Sequence, residues 1–198
     1  MENQGKPHIV TVLGSVRPGN MTGKALALVN DELGRRAGVE FTFVDPAKLD
    51  LVSPGKAGSA EGREYLQSVI SPATGVILST PEYHGSYSSV MKLIIENLGF
   101  PSTLSGKPVG LLGVAAGSIG AVKSLEHLRS VCSHIGGIVL PGPVSIANVN
   151  EVFDERGRCL DPASEKRIRG LAAQMVDYIR RNICPRIALE EMVRSNAK

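Results

Sequence analysis

The segment Gly14-Ser15-Val16-Arg17-Pro18-Gly19-Asn20-Met21-Thr22 combines two glycines, one cation and three small neutral hydrogen-bonding side chains. An apolar run, His8 to Leu13, precedes it, and a helical pattern beginning at Met21 follows. A loop between a strand and a helix suits an anion, because unpaired backbone N–H groups and the helix dipole converge there. Ser15, Asn20 and Thr22 add neutral donors, and Arg17 adds a charge. Gly14 and Gly19 have the Walker A spacing, but Asn20 and Met21 stand where the lysine and the magnesium-binding hydroxyl must stand, which excludes nucleoside triphosphate hydrolysis. Three readings stay open. A dinucleotide fingerprint has Val16 in place of its second glycine, and Asp45 as ribose acid lies 26 residues beyond Gly19. A monophosphate cradle needs neutral donors without lysine or metal. An ordinary polar turn is the third.

A second segment, Pro81-Glu82-Tyr83-His84-Gly85-Ser86-Tyr87-Ser88-Ser89, holds two of the four tyrosines. Tyrosine offers a flat apolar face and one polar atom, which suits covering a ring system. Gly85 permits close backbone approach, and Ser86 is expected to cap the helix that follows. A third segment, Val114 to Gly120, is rich in small residues and carries one hydroxyl, Ser118.

These segments need a scaffold that brings them to one place. Strands are read at His8–Leu13, Val39–Asp45, Thr74–Thr80 (stopped by Pro81), Val109–Val114 and from Ile138 to Leu140 before Pro141 and Pro143. Helices are read at Met21–Arg36, Glu61–Ser71, Ser86–Leu98 and Gly120–Ile135. Asp161-Pro162 then opens the clearest helix, with Ile168, Leu171, Ala172, Met175, Val176 and Ile179 on one face. Residues from 182 onward form a short C-terminal extension after a domain of residues 1–181. Strands apolar on both faces, alternating with helices, imply an α/β fold with a parallel sheet covered on both sides. Ligands of such sheets sit at the carboxyl ends of the strands, where all three segments lie.

Composition narrows the setting. The 198 residues carry a net charge of +3, with 8 basic and 4 acidic residues from Pro162 onward, read as a solvated helix face. No apolar run is long enough to span a membrane, and the start, MENQGKPHIVTVLG, reads as the approach to a strand rather than an export signal. Cys132, Cys159 and Cys184 are too scattered for a disulfide framework or zinc site, so the cytoplasm is the expected compartment and no metal is expected. Cys132 reads as a core residue, His127 and His134 as surface or packing residues, and Lys92 and Glu96 as solvated.

GSVRPGN, PEYHGSYSSVMKLIIENLG and VAAGSIGA resemble the three flavin-contacting segments of the NADPH-dependent FMN reductase family. The likeness runs over roughly residues 7 to 180, and its most specific part is Pro-Glu-Tyr-x-Gly-Ser-Tyr. It implies a flavodoxin-like five-stranded sheet of order 2-1-3-4-5, strands numbered along the chain. It also implies FMN as cofactor, with NADPH or NADH as co-substrate. By the resemblance, Ser15, Arg17, Asn20 and Thr22 hold the FMN phosphate. Pro81, Glu82, Tyr83 and His84 run along the isoalloxazine, with Gly85 and Ser86 in the same segment. Ala116, Gly117 and Ser118 meet the ring edge or ribityl chain. The chain departs from the family at His84, where Asn is usual, and at Asn20, where Ser is frequent.

The expected activity is transfer of reducing equivalents from NAD(P)H through FMN to a small-molecule acceptor: flavin, quinone, dye or metal complex. The flavin supplies the chemistry, so no residue is assigned as catalytic. The other reading is a flavodoxin-type electron carrier. Flavodoxins are usually acidic, and a pI of 8.8 speaks against docking on basic redox partners. Neither nucleic acid nor membrane is expected as a partner. A homodimer or homotetramer is expected, because Val90, Met91, Leu93, Ile94, Ile95 and Leu98 make a helix apolar nearly all round.

Overall fold

The computed structural model describes residues 6–196, so the first five residues of the opening stretch read above lie outside the described residues. The parallel strands are β1 (His8–Leu13), β2 (Glu40–Val44), β3 (Gly75–Tyr83), β5 (Pro108–Val114), β6 (Ile138–Val139) and β7 (Val144–Ile146). A two-residue strand, β4 (Ser86–Tyr87), folds back antiparallel on the end of β3. The sheet order is β2-β1-β3-β5-β6, with β7 also paired to β5. The expected order thus holds, with one refinement. Two short pieces fill the fifth position, β6 against Pro108–Val109 and β7 against Leu112–Val114. Pro141 and Pro143 fall in the gap between them. They lack the N–H that a ladder requires.

Alternate residues of each central strand feed opposite cores. Ile9, Ile77, Leu112 and Val114 face α1 (Met21–Gly34) and α6 (Pro162–Tyr178). Val10, Val12, Val76, Leu78 and Leu111 face α2 (Glu61–Ile70), α3 (Ser89–Glu96) and α4 (Val122–His134). This is the period-two alternation of a sheet buried on both faces. The predicted stripe on α6 is buried throughout. Its N-terminus is capped by Asp161, which accepts the N–H groups of Ala163 and Ser164. A short helix, α5 (Val149–Val152), lies between β7 and α6.

Two expectations are corrected. Strand β3 does not stop at Pro81 but runs to Tyr83, with Pro81 in register with Val114. A proline is tolerated there because the last β1 partner of β3 is Ser79, so no β1 residue stands opposite Pro81 to take a ladder N–H. Helix α3 starts at Ser89 rather than Ser86, because Ser86 and Tyr87 pair with β3. Its cap is accordingly Ser88, whose Oγ accepts the Met91 N–H at 3.0 Å. After α6 the chain continues through a π turn, Ile179–Ile183, into one further helix, α7 (Cys184–Asn196).

Candidate functional site

The carboxyl ends of β1, β3 and β5 bring the three segments to one edge of the sheet. The first loop is held close to β3. The Gly14 N–H donates to the Ser79 carbonyl at 2.7 Å, and a Cβ on Gly14 would run into that same oxygen. Glycine is therefore required here by close backbone approach. The Ser88 hydroxyl donates to the Gly14 carbonyl at 2.6 Å, which ties the start of α3 to the first loop.

Asn20 caps α1, its Oδ1 accepting the Gly23 N–H at 2.7 Å, while its Nδ2 donates to the Arg17 carbonyl at 2.7 Å. Both ends of this side chain thus shape the loop itself. The Ser15 side chain is buried and accepts a long bond from the Arg17 N–H. Thr22 is buried in the first turn of α1. That turn contains no acidic residue, so the positive end of the helix is not neutralised from within.

The second segment is a tight hairpin. His84 and Gly85, with φ of 50° and 72°, form its two-residue turn. Both values lie in the left-handed region, as a primed hairpin turn requires. Arg17 reaches from the first loop over the Tyr83 ring, its guanidinium carbon 4.7 Å from the ring centroid, a cation–π distance. On its other side the hairpin rests on α4. Glu82 Oε2 accepts the Ser124 N–H at 3.0 Å, and Ser86 Oγ lies 3.1 Å from His127 Nδ1. Tyr87 is half-buried, and desolvation pushes its hydroxyl pKa up. In the third segment Ala116, Gly117 and Ser118 are exposed. The Gly117 carbonyl accepts the Gly120 and Asn148 N–H groups, which fixes the bend.

The structure places the residues read from the sequence at the carboxyl ends of β1, β3 and β5, and three of their side chains have other engagements. Asn20 caps α1, Glu82 bonds to α4, and Ser86 faces His127. Sequence reasoning missed Ser88, Ser124 and His127 as residues that shape the site. Ser88 carried a signal, being a serine just before the apolar run that begins at Val90. The other two had none, because their role comes from a contact about 40 residues distant. Cys132 is buried, and desolvation raises its thiol to about 12, as suits an inert core residue. Lys92 and Glu96, read as solvated, form an ion pair on the surface of α3. Among the described residues no group of His, Cys, Asp or Glu is placed to hold a metal ion.

The donor set fits FMN. The phosphate end has neutral hydroxyls, a helix N-terminus and one arginine, without the lysine that a triphosphate site uses. Space remains beside Gly19 and Gly117, where an added Cβ would meet nothing within 4 Å. Residues 7–151 match the profile of the family described as NADPH-dependent FMN reductase. The chain belongs to the NADPH-dependent FMN reductase family. Its activity is that of an NAD(P)H-dependent oxidoreductase with FMN as cofactor. An NAD(P)H-dependent FMN reductase of Pseudomonas aeruginosa is 26% identical over 176 residues, covering 87% of this chain and 95% of that protein. An FMN-dependent NADPH-azoreductase of Staphylococcus aureus is 30% identical over 177 residues, covering 85% and 93%. Among solved structures, the flavoenzyme NAD(P)H:(acceptor) oxidoreductase FerB of Paracoccus denitrificans superposes with a TM-score of 0.72 at 23% identity, covering 88% of this chain and 98% of that one. The last likeness concerns the fold.

Proposed function

We propose that FMN lies along the edge formed by the three segments, and that the enzyme passes electrons from NAD(P)H to small aromatic acceptors such as quinones and azo dyes. The observation that carries this reading is the Arg17–Tyr83 stack, which joins the phosphate loop to the hairpin across a single site. Ser15, Arg17 and Thr22 hold the phosphate through side chains, and Asn20 holds it through its backbone. Pro81 to Ser86 line one side of the ring, with Glu82 contributing main-chain groups. Ala116, Gly117 and Ser118 close the other side. FMN held there would supply the hydride and electron chemistry that links the nicotinamide to the second substrate. The protein's part is to orient the ring and leave one face open. Exposed Val16, Tyr83 and Ile119 rim the edge and offer flat substrates apolar contact.

The enzyme is further proposed to be cytoplasmic and to assemble as a homodimer or a dimer of dimers, with residues 1–181 as the flavin domain and 182–198 as an appendage. Among the described residues no helix is long and apolar enough to cross a membrane. The support for assembly is Phe100, which stands fully exposed on the rim of a groove lined by Ile95, Val131 and Ile135 together with Arg63, Lys92 and Glu96.

The deciding experiment is titration of the purified apoprotein with FMN and with FAD, followed by anaerobic addition of NADPH. About one FMN per chain, bound more tightly than FAD and bleached by NADPH, is the expected result. Absence of FMN binding overturns the reading. Bound flavin that NADPH leaves oxidised supports the electron-carrier reading instead.

A further inference from the structure

Helix α4 does not supply its own N-terminal cap. The first N–H groups of any helix lack partners within it. The cap position here is Ala121, which has no side-chain acceptor, and the first turn of α4 contains no acidic residue. The missing acceptor comes from the flavin hairpin. Glu82, 42 residues earlier in the chain, places Oε2 3.0 Å from the Ser124 nitrogen. A carboxylate at this point makes a charged hydrogen bond and also meets the positive end of the helix. Ser86 adds a second contact, to His127 Nδ1 at 3.1 Å, and Gly85 lies against the aliphatic stem of Lys123. Residues 123, 124 and 127 share one face of α4, so the hairpin is seated along that face. Tyr83, next to Glu82 on the alternating strand, is exposed under Arg17.

We infer that Glu82 is a positioning residue of the flavin site. Its carboxylate is committed to the N-terminus of α4, and this bond sets the stance of the 82–87 hairpin against the ring. The inference rests on the FMN placement proposed above. It assigns Glu82 no part as an acid, a base or a charge acting on the ring. Reach and an acceptor oxygen are what matter at this position, and the negative charge is secondary.

That distinction gives the test. Glu82→Gln keeps the length and the acceptor oxygen but removes the charge. Glu82→Asp keeps the charge and loses the reach. For a positioning bond, Glu82→Asp and Glu82→Ala raise the FMN dissociation constant about tenfold, the scale of leaving one helix N–H without its acceptor. Glu82→Gln recovers most of that loss, and its flavin midpoint potential stays at the wild-type value. Hydrogen exchange in the apoprotein gives a readout independent of flavin. The Ser124 amide is expected to exchange about ten times faster in Glu82→Asp and Glu82→Ala, with Glu82→Gln near wild type. The inference is overturned if Glu82→Asp behaves as wild type while Glu82→Gln shifts the potential, since the charge would then act on the ring. It is also overturned if Ser124 protection is the same in all four proteins. Should Glu82→Ala not fold, the Asp and Gln comparison decides alone. A wild-type protein that binds no FMN would overturn the proposed function, whereas FMN binding with unmoved variants would overturn this inference only.

Discussion

His84 occupies a left-handed backbone position, φ 50°, at the tip of the hairpin. The two-residue turn requires that conformation of both its central residues, and Asn-Gly is the sequence that adopts it most readily. The asparagine usual at this place in the family therefore has a backbone reason, separate from any contact with a ligand. Histidine adopts the same region less easily, at a cost on the order of 0.5–1 kcal/mol relative to asparagine. His84→Asn is accordingly expected to raise stability by about that amount, read as a higher denaturation midpoint, with FMN still bound. A lower midpoint would show that the imidazole has contacts that outweigh the strain. Arg17 presents the opposite case, since its side chain and not its backbone is at issue. Arg17→Ala removes a charged donor from the loop proposed to hold the phosphate and the cation over Tyr83. It is expected to weaken FMN by about 1.5–3 kcal/mol, roughly ten- to a hundredfold in dissociation constant. Fluorescence titration of the flavin measures this. If FMN affinity is unchanged and only the KM for NADPH rises, Arg17 serves the nicotinamide cofactor instead.

Capping links single residues to whole elements, and α6 shows it most clearly. Hydrogen bonds from Ser164 and then Ala163 hold the Asp161 carboxyl below its ordinary value of 3.8. The stabilisation is therefore complete above that value and is lost as pH falls through the lowered one. Asp161→Asn retains a good cap without a titrating group. Its unfolding midpoint is expected to depend less on pH below about 4, while the two proteins behave alike near neutrality. An identical acid transition in both would remove Asp161 from the acid-sensitive set. Asp161-Pro162 was legible in the sequence because a cap and its helix are neighbours in the chain. The same holds for the apolar face of α6, whereas the strand order followed from the family resemblance. What stayed hidden depends on partners distant in sequence. Nothing near Glu82 marks it as the cap of α4, and nothing near Pro81 shows that β1 ends early enough for β3 to carry a proline. The Pro141–Pro143 stretch was readable as a break, but not as a break after which β7 resumes pairing with β5.

At the scale of the molecule, the sequence argued for a dimer through the all-round apolar surface of α3. Much of that surface is used within the subunit. Met91, Ile94, Ile95 and Leu98 are buried beside Leu66 and Ile70 of α2, and Val90 and Leu93 are half-covered. The case for assembly moves to the far end of the helix. Phe100 projects fully exposed next to a cavity of about 680 Å³ lined in part by Ile95, Val131 and Ile135. A projecting aromatic beside a hollow able to receive one is self-complementary under a twofold axis, each copy filling the other's groove. Two phenylalanines would be buried, at about 1.5–3 kcal/mol each. The position matters for function. Helix α4 begins at the 82–87 hairpin and reaches the groove at its other end, 13 residues later, a distance of about 20 Å. A dimer formed here holds two flavin sites apart and does not wall either one. Light scattering at micromolar concentration should accordingly report about twice the 21.0 kDa of one chain. Phe100→Ser should raise the dimer dissociation constant by roughly two orders of magnitude or more, with FMN affinity and NADPH turnover kept in the monomer. If Phe100→Ser leaves the dimer intact, the interface lies elsewhere. If the monomer forms but loses its flavin, the second subunit contributes to the site, and the dimer must approach along the amino-terminal ends of α3 and α4 instead.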